Sequence, residues 1–341
     1  MPDHPLGRVL AGSPETLARS YARFAAQPVD WDLLGEPAAP LPARQTTLQQ
    51  PFSVEGPGTF FRRHIRRLTF EPRESGGWWI QRDDQTDALP FQVAARNVWT
   101  TGDVVSNIVL RAGPLHNYLR MVEHIIALKL GLGLDHVLIR TDAGDPPLFV
   151  RGSLDLVEGL ERAGVRQLDA PAEWWTVKEP VVMATPAGAF LAIAPCRSAQ
   201  PELMVDCAID FPNVIGQQRV RFRVNPALTK FAAVARTNTP LWKMVYCKTI
   251  GLLFADIRNL GYTPENLQIA GRHTYHNEPR LLHAGKSLEA VWHRSVLDLL
   301  AALALIGDGR LCGEVTSFKA GHHLDVRLVC QILKRDLLRR V

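Results

Sequence analysis

Met121-Val-Glu-His-Ile-Ile-Ala-Leu-Lys-Leu-Gly-Leu-Gly-Leu-Asp-His-Val-Leu-Ile-Arg140 is the stretch whose reading decides the fold. Ile125, Ile126, Leu128 and Leu130 make most of its sides apolar, the mark of a buried helix. Gly131 and Gly133 stop that helix, and Val137 to Ile139 then read as a strand. Glu123 and His124 stand together near the helix start, where a carboxylate beside an imidazole is costly to bury without a partner or a chemical task. Taken alone, the pair reads first as a hydrogen-bonded core histidine beside a solvated glutamate.

A second stretch changes that balance. Val291-Trp-His-Arg-Ser-Val-Leu-Asp-Leu-Leu300 opens another apolar helix, running to about Leu305. Gly307 and Gly309 end it, and Gly313 to Phe318 follow as a strand. Each half of the chain thus holds a histidine near a helix start, an apolar helix, a glycine stop and a strand. This is a weak internal repeat with chemistry-capable residues at the same place in each copy. Two such helices packed side by side would bring His124 and His293 to one metal ion.

The 341 residues suffice for two domains. At 46% hydrophobic and 21% charged, the composition is that of a soluble globular protein. No apolar run reaches transmembrane length. Met1-Pro-Asp-His-Pro5 lacks the basic-then-apolar pattern of a secretory signal. Cys196, Cys207, Cys247, Cys312 and Cys330 are scattered without metal-finger spacing and read as buried thiols in a reducing, cytoplasmic setting. The net charge of +5 favours anionic ligands, but the basic residues are spread out and no nucleic-acid motif is present. Leu333 to Arg340 reads as a basic amphipathic helix face, allowing at most peripheral membrane contact.

In chain order, residues 1–44 read as an extension, with a helix from Ser13 to about Ala26 capped by Ser13 and a proline-rich linker from Glu36 to Ala43. Strands are expected at Thr46–Val54, His64–Phe70, Gly77–Gln81 and Val104–Leu110. A helix at Ser153–Ala163 closes the first domain, 45–167. In the second domain, 168–341, strands are expected at 175–177, 180–185, 189–195, 203–210 and 220–224, and a helix from Pro226 towards Thr237. Strands and helices do not alternate strictly, which favours α+β over a doubly wound parallel sheet.

The order of short motifs resembles the UDP-3-O-acyl-N-acetylglucosamine deacetylases, the zinc enzymes of lipid A synthesis. Val122-Glu-His124 followed by Leu130-Gly-Leu-Gly-Leu-Asp-His-Val137 is similar to the family signature. Ile209-Asp-Phe211 with Ile215-Gly-Gln-Gln218, Ala235-Arg-Thr237, His293-Arg294 and Ser317-Phe-Lys-Ala-Gly-His322 follow at family-like spacings. The resemblance implies a two-domain sandwich, each domain a sheet layered with helices, with the active site between them. It implies a catalytic zinc held by His124, His293 and Asp298, with a fourth position for water. It assigns Glu123 as general base, His322 as general acid and Thr237 to the acyl oxygen. Arg294 and Lys319 would face an anionic diphosphate, with Asp210 and Phe211 also at the substrate.

The sequence departs from the family at several of these points. The family's ligand histidine and aspartate are four apart and share a helix face. His293 and Asp298 are five apart, about 140° around a regular helix. A one-residue π-bulge would restore the pairing; Glu289, four before His293, is the alternative third ligand. The family's second aspartate falls at Ala301 or Ala302, removing the partner that orients the acid histidine. Gly58-Thr-Phe60, Arg151-Gly-Ser153 and Asn238-Thr239 replace family segments, and arginine for lysine at 294 keeps charge but not shape. The expected activity is zinc-dependent hydrolysis of an N-acyl amide, on an amino-sugar or other N-acyl metabolite rather than the lipid A precursor. A non-catalytic binding protein of the same fold and a true lipid A precursor deacetylase are the alternatives.

Overall fold

The computed structural model describes residues 4–60, 64–102, 106–253 and 260–341, without the side chains of Cys247, Lys248 and Leu252. The fold is α+β, and the repeat seen in the sequence organises it. The first buried helix, Glu123–Gly131, is followed by Val137–Thr141, the middle strand of a five-stranded sheet. That strand runs antiparallel to Ile65–Pro72 and parallel to Trp78–Arg82; Phe52–Pro57 and Phe91–Gln92 are the edges. In the second half, Gly313–Phe318 is the middle of a seven-stranded sheet. It lies antiparallel to Phe190–Ala194 and parallel to Leu203–Asp210.

Both glycine-stopped helices are apolar nearly all round, and both lie in one continuous core with the inner faces of the two sheets. Ile125, Ile126, Leu128, Leu299, Leu300 and Leu303 are wholly buried there. Each such side chain contributes about 1.5–3 kcal/mol by leaving water, so these two helices are the most firmly held elements near the site. Among the described residues no helix is long and apolar enough to cross a membrane.

Residues 4–44 are not a free extension. Arg8–Ala11 pairs in parallel with Val181–Ala184, and Trp31–Asp32 pairs in parallel with Gln217–Arg223, so this segment supplies both edges of the seven-stranded sheet. Between them lies α1, Pro14–Ala26, capped by Ser13 as expected: the Ser13 hydroxyl accepts from the Thr16 amide. Leu17 and Phe24 of α1 pack on Phe190 and Phe318 in a second core.

Other expectations are corrected in detail. Thr46–Val54 is two strands, Arg44–Leu48 and Phe52–Pro57, parted before Pro51, which has no amide to offer a ladder. The helix from Pro226 ends at Ala232, and Thr237 opens a strand, Thr237–Pro240, paired with Leu267–Ala270. Part of the strand expected at 104–110 lies outside the described residues, and Val109–Arg111 is a strand. The basic terminus is not one helix face: the helix ends at Lys334 and Leu338–Arg340 pairs with Trp174–Val177. Cys207 and Cys312 are buried free thiols, whereas Cys196 and Cys330 are only partly covered.

Candidate active site

The Glu123–Gly131 helix, α2, lies alongside the helix 289–306. Lys129, buried in α2, donates to the carbonyls of Ala304, at 3.3 Å, and Gly307. Burial pushes this amine down to about 8. At the other end of the pair, His124 and His293 meet. Residues of both helices open onto a cavity of about 330 Å³, lined also by Thr237, Lys319 and His322.

The helix 289–306 changes pitch inside the site. Glu289–Trp292 is α-helical, His293–Asp298 is π-helical and Leu299–Leu303 is α-helical again. A π-turn bonds residues five apart and so returns the fifth residue to the starting face. That turn sets the Asp298 carboxylate 3.4 Å from His293 Nδ1 despite the five-residue gap.

The remaining groups fall into place around this pair. His124 Nε2 and His293 Nε2 stand 3.2 Å apart. Thr237 Oγ1 is 3.0 Å from the same His293 nitrogen. His322 Nε2 lies 3.5 Å from Asp298 Oδ1 and 3.7 Å from Glu123 Oε1. Glu123 accepts the amide of Ile108. Ser153, expected as the first residue of a helix, lies just before it and donates its hydroxyl to the His124 carbonyl at 2.9 Å, touching His124 Nδ1 at 3.3 Å. The turn before Ser153 needs glycine: at φ +66°, a Cβ on Gly152 would meet the Ala233 carbonyl at 2.2 Å.

Burial dominates the electrostatics. It pushes the Glu123 carboxyl up to about 8, and pushes His124 down to about 3 with help from the neighbouring His293. It lowers His322 too, against the pull of Asp298. Burial disfavours the Asp298 charge, but His293 and His322 outweigh it and hold that carboxyl below the usual range. A neutral imidazole at His124 beside an ionised Asp298 is a donor set in the protonation states that a metal requires.

Three expectations need restating. Arg294, expected to face a diphosphate, lines the cavity but is buried, donating to Asp325 Oδ1 at 2.7 Å and the Ala320 carbonyl at 2.8 Å. Glu289 is committed to Arg236, at 2.7 and 3.0 Å, and to the Arg280 amide, at 2.6 Å. His322, expected to lack a carboxylate partner, has Asp298 at Nε2, while its buried Nδ1 has none. Asp210 and Phe211 line the cavity, and Lys319 adopts φ +53° at its edge, a left-handed backbone uncommon for a residue with a side chain.

The fit to zinc rests on the opposed histidines. Two nitrogens bound at ~2.0–2.1 Å to one tetrahedral ion lie roughly 3.3 Å apart, close to the observed 3.2 Å. Ser153 at the other nitrogen of His124 supplies the outer hydrogen bond that ligating histidines carry. Among the described residues no three histidine, cysteine, aspartate or glutamate side chains already form a metal-binding cluster. The reason is visible: Asp298 meets His293 at Nδ1, whereas the two histidines face each other through Nε2. The two facing histidine nitrogens fit zinc, and the Asp298 carboxylate lies at the other nitrogen of His293.

Sequence reasoning passed over Asp325, Ser153 and Arg23. Asp325 lies three residues after His322, on the same helix face, a signal that was open to view. Arg23 donates to Asp210 at 2.9 Å across 187 residues, which no local pattern announces.

A family model of the UDP-3-O-acyl N-acetylglycosamine deacetylases matches residues 45–334. The chain belongs to this family. Among curated relatives, a UDP-3-O-acyl-N-acetylglucosamine deacetylase of Campylobacter hominis is 27% identical, over 85% of this chain and 92% of its own length. One from Geobacter sp. is 28% identical, over 85% of this chain and 89% of its own. The deacetylase family is one of hydrolytic enzymes, and residues 1–44, with α1 and both edge strands, precede the span that its model matches.

Proposed function

We propose that the chain hydrolyses an N-acyl amide with a zinc-activated water, and that its substrate is an anionic amino-sugar or related N-acyl metabolite other than the compound its relatives are named for. The observation that supports this reading is the meeting of Glu123, His124, His293, Asp298, Thr237 and His322 in one cavity. His124 and His293 would hold the metal, with Asp298 as third ligand. Zinc, when bound, acidifies the attacking water and polarises the acyl oxygen.

The chain's own groups do the rest. Glu123 takes the proton of the water as general base. The Thr237 hydroxyl donates to the oxygen where negative charge develops. His322 passes a proton to the departing nitrogen, with Asp298 3.5 Å away favouring its charged form. In this reading 45–167 and 168–341 are the two domains around the site, in a cytoplasmic setting, with a small molecule as partner.

The substrate assignment leans on Arg294. A family-like cation at this point would meet the nucleotide diphosphate, but this guanidinium is turned inward to Asp325. Gly58-Thr-Phe60, Arg151-Gly-Ser153 and Asn238-Thr239 alter the walls as well, and a pocket with different polar partners rejects the old ligand strongly. A second reading, binding without turnover, is favoured by the Asp298 carboxylate lying at the far nitrogen of His293.

Free-amine release from zinc-loaded protein, given UDP-3-O-acyl-N-acetylglucosamine and a panel of N-acetyl amines, tests these readings. Release from a panel compound with little from the UDP sugar is the expected result. Efficient release from the UDP sugar overturns the substrate assignment. Bound zinc with no amine from any compound favours the second reading.

A further inference from the structure

We infer that Arg23, from the N-terminal helix, completes an oxyanion subsite at the mouth of the cavity, where it would bind a phosphate-type group of the substrate together with Lys319. The inference deepens the proposed reading of an anionic substrate and rests on it.

The argument begins with what holds Arg23. Residues 1–44 lie before the family-matched span, yet they form both edges of the seven-stranded sheet. Leu17 and Phe24 anchor α1 on Phe318, the residue immediately before Lys319. The helix is therefore fixed against the same segment that forms the cavity edge. Arg23 projects from it and donates to Asp210 Oδ2 at 2.9 Å. Lys319 Nζ lies 3.5 Å from that same oxygen.

Two cations thus share one carboxylate, and Asp210 and Lys319 both line the cavity. The Arg23 side chain remains 63% exposed and that of Lys319 30% exposed, so both can reach a ligand. The arginines that line this cavity are each held by a buried carboxylate, Arg236 by Glu289 and Arg294 by Asp325. At this edge Arg23 and Lys319 are two cations on one shared carboxylate, a local excess of positive charge. A guanidinium fork beside an ammonium suits a tetrahedral oxyanion, which accepts two parallel hydrogen bonds from the first and a point charge from the second.

Calorimetric titration of the zinc-loaded full chain with inorganic pyrophosphate tests this, with uncharged N-acetylglucosamine as control. Arg23→Ala should weaken pyrophosphate binding on the order of tenfold, as loss of one charge-assisted contact does. Arg23→Glu should weaken it further, and Arg23→Lys should recover part of the loss. Asp210→Asn should tighten binding, because it removes the competing carboxylate. Arg23 is exposed, so these changes leave folding intact. No saturable binding, an affinity indifferent to residue 23, or equal weakening by Arg23→Ala and Asp210→Asn overturns the inference; the last would make Arg23 only a prop for Asp210. Amine release plays no part in the readout. A chain that binds pyrophosphate through Arg23 yet releases no amine would overturn the deacylation reading and leave this one standing.

Discussion

α2 presents Glu123 and His124 from consecutive positions in the first turn of a regular helix. The helix 289–306 presents His293 and Asp298 from positions five apart and needs a π-helical segment to do so. Consecutive helical residues diverge by about 100°, so α2 sends its two groups different ways. His124 goes to His293, and Glu123 to the Ile108 amide and the His322 side. The π-turn does the opposite and gathers its two groups onto one side. One helix separates the proposed ligand from the proposed base, and the other brings two proposed ligands together.

The largest effect that would break this comparison is on turnover. Glu123→Gln should lower amine release by about 10²–10⁴-fold, the usual contribution of a general base, and leave zinc content unchanged. Loss of the metal together with the activity would make Glu123 a ligand and erase the division of labour between the helices.

The next effect separates the two carboxylates of the second helix. Glu289→Leu leaves buried Arg236 without its partner and should cost about 3–5 kcal/mol in denaturant unfolding, while the folded fraction still takes up zinc. Asp298→Asn should weaken zinc binding with far less change in stability. The reverse pattern would return the third ligand to Glu289.

A smaller effect lies where the helices touch at their far ends. The Lys129 amine titrates at about 8 in the folded chain against 10.5 ordinarily, because it is buried. Between these values the unfolded chain binds more protons than the folded one, so stability rises with pH across that window. Below about pH 8 the cost to folding is constant, at most roughly 3 kcal/mol. Urea titrations from pH 7 to 10 should show this rise in the wild type and a flatter profile in Lys129→Met. Equal slopes would mean that Lys129 keeps its charge in the folded chain.

Much of this arrangement was legible in the residues. Apolar spacing, glycine stops and the strands after them located both buried helices and the middle strand of each sheet. The mismatch between five residues and a helical turn pointed to a π-segment at 293–298, and that is the helix found there. What escaped was set by contacts distant in sequence. The Arg294 sequence neighbourhood gives no sign of its partner, Asp325 of the last helix. Residues 1–44 look detachable because their strands are two to four residues long and their partners lie more than 150 positions away. Ser153 reads as part of a helix, but it precedes the helix and its hydroxyl goes to the His124 carbonyl, 29 residues away.

The central claim is that the two helices share one metal ion through facing histidines. Elemental analysis of protein purified with zinc present tests it most directly, on the wild type and on His124→Ala and His293→Ala. The account predicts about one zinc per wild-type chain, as a single tetrahedral site holds, and its loss in each variant while folding is retained. A zinc-free wild type, or zinc kept in either variant, would contradict it.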